Sequence, residues 1–212
     1  LEVFVIPQNS VNNIYATFTT KFGSNQIDFT TKDSKDMTSV PPGIAHFLEH
    51  KMFEQEDGIE PFTFFCKNGS HANAYTDQTK TCYLFSGPSF IEENLNYLLD
   101  YVQSPYFTDE NVEKEKGIIT QELKMYQDEP DFTLYEELLA NTFKNHPMKE
   151  SIGGTIKSVN SIAKEQLYAC YNTFYHPSNM FMIITGNVNP EEIIELVKLN
   201  QSKKDFKEQN EI

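Results

Sequence analysis

The 212-residue sequence predicts an α+β fold in which a mixed, mainly antiparallel sheet packs against a cluster of helices. Strand-like runs open the chain and helix-like runs crowd its middle. The strict strand–helix alternation that marks a parallel sheet is missing.

Leu1–Pro7 and Ile14–Gly23 read as two opening strands, followed by a polar insertion ending near Val40. A helix is expected to begin at Gly43, just after Pro41 and Pro42, because proline suits a helix start. Ile44, Ala45, Phe47, Leu48, Met52 and Phe53 make that helix apolar nearly all round, which predicts burial. A short helix near Glu60–Asn68 leads into Ser70 to Thr76 and Thr81 to Ser86, which alternate as paired strands around a turn at Asp77-Gln78. Helices are expected at Phe90–Ser104, Thr108–Asp128, Thr133–Lys144 and Lys164–Thr173. In the second of these, Thr108 suits the cap, with Asp109 and Glu110 in the first turn. Phe181–Gly186 is an apolar run suited to a sheet centre, and a helix over Pro190–Leu199 closes the fold. Residues 1–200 are read as one domain. From Asn200 the chain turns polar and charged, so 201–212 is expected to be a linker or tail.

Seventeen Lys and Arg against 31 Asp and Glu leave a formal net charge of −14, which argues against a nucleic-acid partner. No apolar run approaches the roughly 18 residues of a membrane span. The chain opens directly as a strand, with no leader pattern and no initiator Met, so a piece of a longer protein is expected. Cys66, Cys82 and Cys170 are odd in number and widely spaced. They read as free thiols of a reducing compartment, and hence as a cytoplasmic expectation.

The densest chemical signal is His46-Phe47-Leu48-Glu49-His50. Imidazoles four residues apart on a helix share one face, and at about 100° per residue Glu49 falls beside them. Two nitrogen donors and a carboxylate aimed at one point are how hydrolytic zinc sites mount an ion and its general base. The order reverses the commoner His-Glu-x-x-His pattern and is known as the inverzincin signature. The competing reading is a pair of core histidines bonded to a carboxylate, since buried polar groups must be satisfied in some way.

A catalytic zinc takes three protein ligands and keeps a place for water. The third donor is sought on Thr108–Asp128, whose expected apolar stripe is Val112, Ile118, Ile119, Met125 and Tyr126. Glu115 and Glu122 fall within that stripe, whereas Glu113 and Lys114 look like solvent charges. Two carboxylates on an apolar face need a cationic partner. Seven residues of helix separate them by about 10 Å, so both cannot bind one ion. One should be a ligand, and the other should orient a ligand histidine.

His46-x-x-Glu49-His50 followed by Glu115-x6-Glu122 resembles the pitrilysin/insulinase family of zinc peptidases, which includes the mitochondrial processing peptidases. The likeness is nearest to the small bacterial, processing-peptidase-like branch. It implies that His46, His50 and Glu122 hold one Zn²⁺ per chain, that Glu49 is the general base, and that Glu115 is the second conserved acid. Gly69-x3-Asn73-Ala74-Tyr75-Thr76 with Thr81-x-Tyr83 resembles the family's substrate-binding strand, which implies that Asn73 and Ala74 hold an extended peptide by strand addition. His146-Pro147, Gly154 and Phe174 to Met180 match scaffold landmarks. His146 and His176 precede proline and read as loop residues, and His71 as a surface residue.

Family members are clamshells of two homologous halves, and this chain resembles the first, metal-bearing half. The resemblance therefore implies a second half as partner, in the same polypeptide or a separate subunit, with 201–212 leading toward it. That half would supply an Arg and a Tyr for the substrate carbonyl, to which nothing in this sequence is matched. The expected function is a zinc metalloendopeptidase. The alternative is a non-catalytic scaffold or peptide-capturing subunit of a two-chain peptidase, and a zinc hydrolase of non-peptide substrates is a third reading.

Overall fold

The computed structural model describes residues 1–31 and 36–206. Period-2 alternation builds the frame. In the strands β1 (Glu2–Pro7), β2 (Ile14–Thr20), β5 (His71–Thr76), β6 (Thr81–Gly87) and β7 (Met180–Gly186), every second side chain turns to a common inner face. They form a five-stranded sheet of order β1-β7-β2-β6-β5. Only the β1–β7 pair is parallel, so the sheet is mixed and mainly antiparallel, as the sequence predicts. Ala16 pairs with Phe85 and Ile184, and Phe18 with Tyr83 and Met182, which sets two apolar rows across the inner face. Helices cover that face and bury it in a continuous core.

The polar insertion contains a short hairpin, β3 (Asp28–Thr30) with β4 (Met37–Ser39), which sequence periodicity did not mark. Phe29 anchors it edge-on against Phe174 at 4.9 Å. The helices are α1 (Ile44–Lys51), α2 (Pro61–Lys67), α3 (Ile91–Val102), α4 (Asp109–Gln127), α5 (Pro130–Thr142), α6 (Ile156–Asn160), α7 (Lys164–Phe174) and α8 (Pro190–Ser202). Expected boundaries shift by a few residues, and α6 was not anticipated. The opening strand stops at Thr20 rather than Gly23, and α1 at Lys51, with Met52 and Phe53 packed beyond its end. Pro130 takes the first helical position of α5, which therefore starts before Thr133 and ends at Thr142.

Two further corrections matter. The buried stripe of α4 is Asn111, Val112, Glu115, Ile119 and Leu123, whereas Ile118, Met125 and Tyr126, expected in the stripe, are exposed. Residues 201–204, expected to open a tail, are held on the fold. Helix α8 runs to Ser202, Gln201 bonds Gln103, and Lys204 reaches the Leu99 carbonyl, Gln103 and Asp100 on α3. Residues 207–212 lie outside the described residues. The three cysteines are free thiols, and burial pushes Cys170 up to about 12.

One crossing fixes the start of α1. Gly43 adopts φ +93°, and a Cβ there would lie 2.5 Å from the Gly153 carbonyl oxygen. Gly154, at φ +73°, would meet the Pro42 oxygen at 2.4 Å. The two backbones touch because neither residue has a side chain. Gly43→Ala should therefore cost about 1–3 kcal/mol through left-handed strain and overlap, lowering Tm by roughly 5 °C in a domain of this size. Thermal denaturation followed by circular dichroism checks it.

Candidate metal centre and its cleft

His46, Glu49 and His50 project from the buried helix α1, and Glu115 and Glu122 from the inward stripe of α4. The two helices run antiparallel, so Glu122 stands beside both histidines and Glu115 beside His50. His46 Nε2 is 3.9 Å and His50 Nε2 3.4 Å from Glu122 Oε2. The three residues offer donor atoms that all lie within 4.8 Å of one another, the arrangement a metal ion requires. Ligand atoms about 2.0–2.1 Å from a tetrahedral zinc stand about 3.3 Å apart, and the His50–Glu122 separation of 3.4 Å is close to that.

Satisfaction of the polar atoms points the same way. Glu122 Oε2 and His46 Nδ1 are buried without a hydrogen-bond partner among the described residues. A buried carboxylate oxygen left in that state is costly. His50 differs, because its Nδ1 meets Glu115 Oε1 at 3.0 Å, leaving Nε2 turned toward Glu122. Gly153 lies against the other ring. A Cβ there would come 3.7 Å from His46 Nδ1 and 2.8 Å from Leu123 Cδ2, so a glycine keeps the loop close to the imidazole.

The electrostatics reinforce the geometry. Burial, then the charge of His50, holds the His46 imidazole down at about 3, so the ring is neutral and its approach to Glu122 is not an ion pair. Burial pulls His50 down too, but the hydrogen bond to Glu115 and the charges of Glu115, Glu122 and Glu49 outweigh it and raise the ring. That point in the fold therefore favours positive charge. Burial raises the Glu49 carboxyl, opposed by a hydrogen bond from Thr76 and by His50.

Thr76 was not singled out by sequence reasoning. Its hydroxyl donates to Glu49 Oε2 at 2.5 Å from the end of β5, leaving Oε1 free of that bond. Thr81, which donates to the Phe22 carbonyl, lies 3.3 Å behind it. The available signal was alternation: Ala72, Ala74 and Thr76 share the half-buried face of β5, while His71, Asn73 and Tyr75 are exposed. Lys51, the residue after His50, was also passed over, although its side chain is fully buried.

A cleft of about 610 Å³ opens beside these groups. Glu49, His50, Glu115, Asn73 and Ala74 line it, with Phe53, Ile59, Phe62 and Ile118 supplying apolar wall. Strand β5 is an edge of the sheet. Asn73 is exposed at this edge, and its Oδ1 accepts the Ala74 amide at 2.9 Å. His71 is exposed, and His146 and His176 cap short 3₁₀ turns at Pro147–Lys149 and Pro177–Asn179, away from the donor cluster.

A His–His–Glu donor set on antiparallel helices, with a buried carboxylate beside it and a sheet edge along the cleft, is an arrangement suited to holding a divalent metal ion. Residues 35–156 match the insulinase family (peptidase family M16), and residues 161–212 match the M16 inactive domain. The chain belongs to this family. It is 52% identical over 212 residues to an uncharacterized zinc protease, YmfH, of Bacillus subtilis (strain 168), covering 100% of this chain and 49% of that protein. The crystal structure of an M16-like peptidase from Alicyclobacillus acidocaldarius superposes with a TM-score of 0.93 at 47% identity, covering 97% of this chain and 48% of that one. The first half of the periplasmic protease PqqL from Escherichia coli shares the fold, with a TM-score of 0.78 at 24% identity over 99% of this chain and 46% of that one. This chain thus spans about half the length of the relatives it matches.

Because the Thr76 hydroxyl stabilises the ionised form of Glu49, Thr76→Val should raise the Glu49 carboxyl further. Carboxylate NMR titration of the metal-free chain checks the direction, and an unmoved or lowered value contradicts it.

Proposed function

We propose that this chain is the metal-bearing half of a zinc metalloendopeptidase that hydrolyses peptide bonds of extended peptides. The observation that carries the reading is the convergence of the His46, His50 and Glu122 donors on one point, with His50 and the buried Glu49 carboxylate lining the adjoining cleft. These residues suit one Zn²⁺ in donor type, spacing and unmet hydrogen-bonding capacity. Bound there, zinc would polarise a substrate carbonyl and make water acidic near neutral pH.

The protein's own groups divide the remaining work. Glu115 holds His50 Nδ1 and so keeps Nε2 aimed at the metal position. Glu49, steadied through Oε2 by Thr76, accepts the proton of the attacking water at Oε1 and returns it to the leaving amine. Its raised pKa favours the uptake step, because the carboxylate is then the stronger base. Strand β5 offers its free edge to an extended peptide, with Ala74 small enough for close approach and Asn73 exchanging its bond to the Ala74 amide for one to the peptide.

The partner in this reading is a second M16-type half that closes over the cleft. The chain's length relative to its relatives supports it, as do apolar surfaces left uncovered: Leu134 (71% exposed) and Leu138 (61%) on α5, and Phe4, Ile6 and Tyr15 on the sheet face away from the helices. The scaffold alternative loses ground because the donor set and the base are all present.

Three outcomes follow. Glu49→Gln should retain zinc and lose cleavage by about 10²-fold or more, read by metal analysis and by mass spectrometry of a mixed, unstructured peptide pool. Glu122→Gln should lower the zinc content, and full occupancy would remove it from the ligand set. The chain alone should turn over weakly, because losing one oxyanion donor typically costs about 10²–10³ in rate. Cleavage as fast as by a complete two-half relative would contradict the need for a partner.

A further inference from the structure

Lys51 follows His50 directly, and its side chain is 0% exposed. Lysine normally snorkels to water, so full enclosure beside the donor cluster calls for a reason. Its Nζ lies 2.6 Å from Glu54 Oε2, just past the end of α1, and 3.4 Å from the backbone carbonyl of Asn111 in the first turn of α4. Asn111 is itself fixed. It shares a capping box with Thr108, and its side chain donates to the Tyr106 carbonyl. Lys51 therefore ties the last turn of α1 to the anchored start of α4.

The two helices meet at three polar levels. Lys51 faces Asn111, His50 faces Glu115, and Glu122 faces His46 and His50. At the last two levels both partners are side chains that can swing to follow a small shift. At the first, the ammonium grips the backbone of α4, so it constrains the helix itself. A slip of one residue would move α4 by about 1.5 Å along α1. That shift is comparable with the whole tolerance of a metal site and would take Glu115 and Glu122 off their imidazoles together.

We propose that Lys51 is a positioning residue for the metal centre: its hold on the Asn111 carbonyl sets the axial register of α4 against α1, and with it the spacing of the His46, His50 and Glu122 donors. This rests on the metal-site reading above. A lysine that only filled space would be exchangeable for methionine at little cost, because Glu54 is partly exposed and regains water when its partner is removed. The register role makes a different demand, because methionine fills the volume and releases the carbonyl.

The test compares Lys51→Met and Glu54→Gln with the unsubstituted chain. Glu54 is partly exposed, so its variant tests the same tie where Lys51→Met fails to fold. Zinc affinity is measured by chelator competition, donor geometry by the visible spectrum of the cobalt-loaded protein, and helix register by hydrogen exchange of the metal-free protein. Lys51→Met is expected to bind zinc about 10–100-fold more weakly, as loss of outer-shell support does. Its cobalt bands should weaken, and the amides from Glu115 to Ile119 should exchange faster without metal. Glu54→Gln should shift all three the same way by less. Zinc binding within twofold of the unsubstituted chain, with unchanged cobalt bands and exchange, in a folded Lys51→Met or, failing that, in Glu54→Gln, overturns the proposal. If the unsubstituted chain binds neither ion, the metal-site reading falls. Exchange alone then decides the register: faster in the variants supports it, unchanged overturns it.

Discussion

Three carboxylates and two imidazoles share one half-buried space between α1, α4 and β5, and the fold is arranged around that excess of negative charge. Glu49 and Glu115 are buried, and Glu122 is only partly open to water. Like charges brought together out of water must be neutralised by protons or by a cation. The protein's own response is partial: His50 is drawn toward the protonated form, while burial keeps His46 neutral. A divalent ion between the two rings would answer the demand in full, which is why the charge balance and the ligand geometry support the same reading.

The surrounding elements hold these groups still. A glycine crossing fixes the start of α1, a capping box fixes the start of α4, and the end of β5 reaches in through Thr76 to Glu49. The sheet behind them is ordinary in its packing, with Phe18, Tyr83 and Met182 filling its inner rows. Its value to the site is rigidity, because a cluster of metal-type donors depends on distances held to fractions of an ångström.

Much of this was legible in the residues because the signals are local. His46, Glu49 and His50 lie within one helical turn, and Glu115 and Glu122 fall on one face of α4 by spacing alone. The long strands showed their alternation. The three-residue strands Asp28–Thr30 and Met37–Ser39 are too short to show any. Thr76 and Lys51 gain their roles only when separate segments meet in space, so nothing near them in sequence announces those roles. The stripe of α4 was drawn too wide because Ile118, Met125 and Tyr126 are apolar at helical spacing yet face outward. Hydropathy reports that such residues are suited to burial, and here the fold leaves them exposed.

The open edge at β5 also carries a hazard. His71–Thr76 contains no proline and no lysine, the usual guards against strand-to-strand association, and it borders a sheet face with exposed Tyr75. The Asn73 side chain, folded onto the Ala74 amide, covers one donor of this edge. Any strand that added there through this amide would first have to displace it. An added strand would therefore gain at that amide only the difference between the bond it forms and the one it breaks.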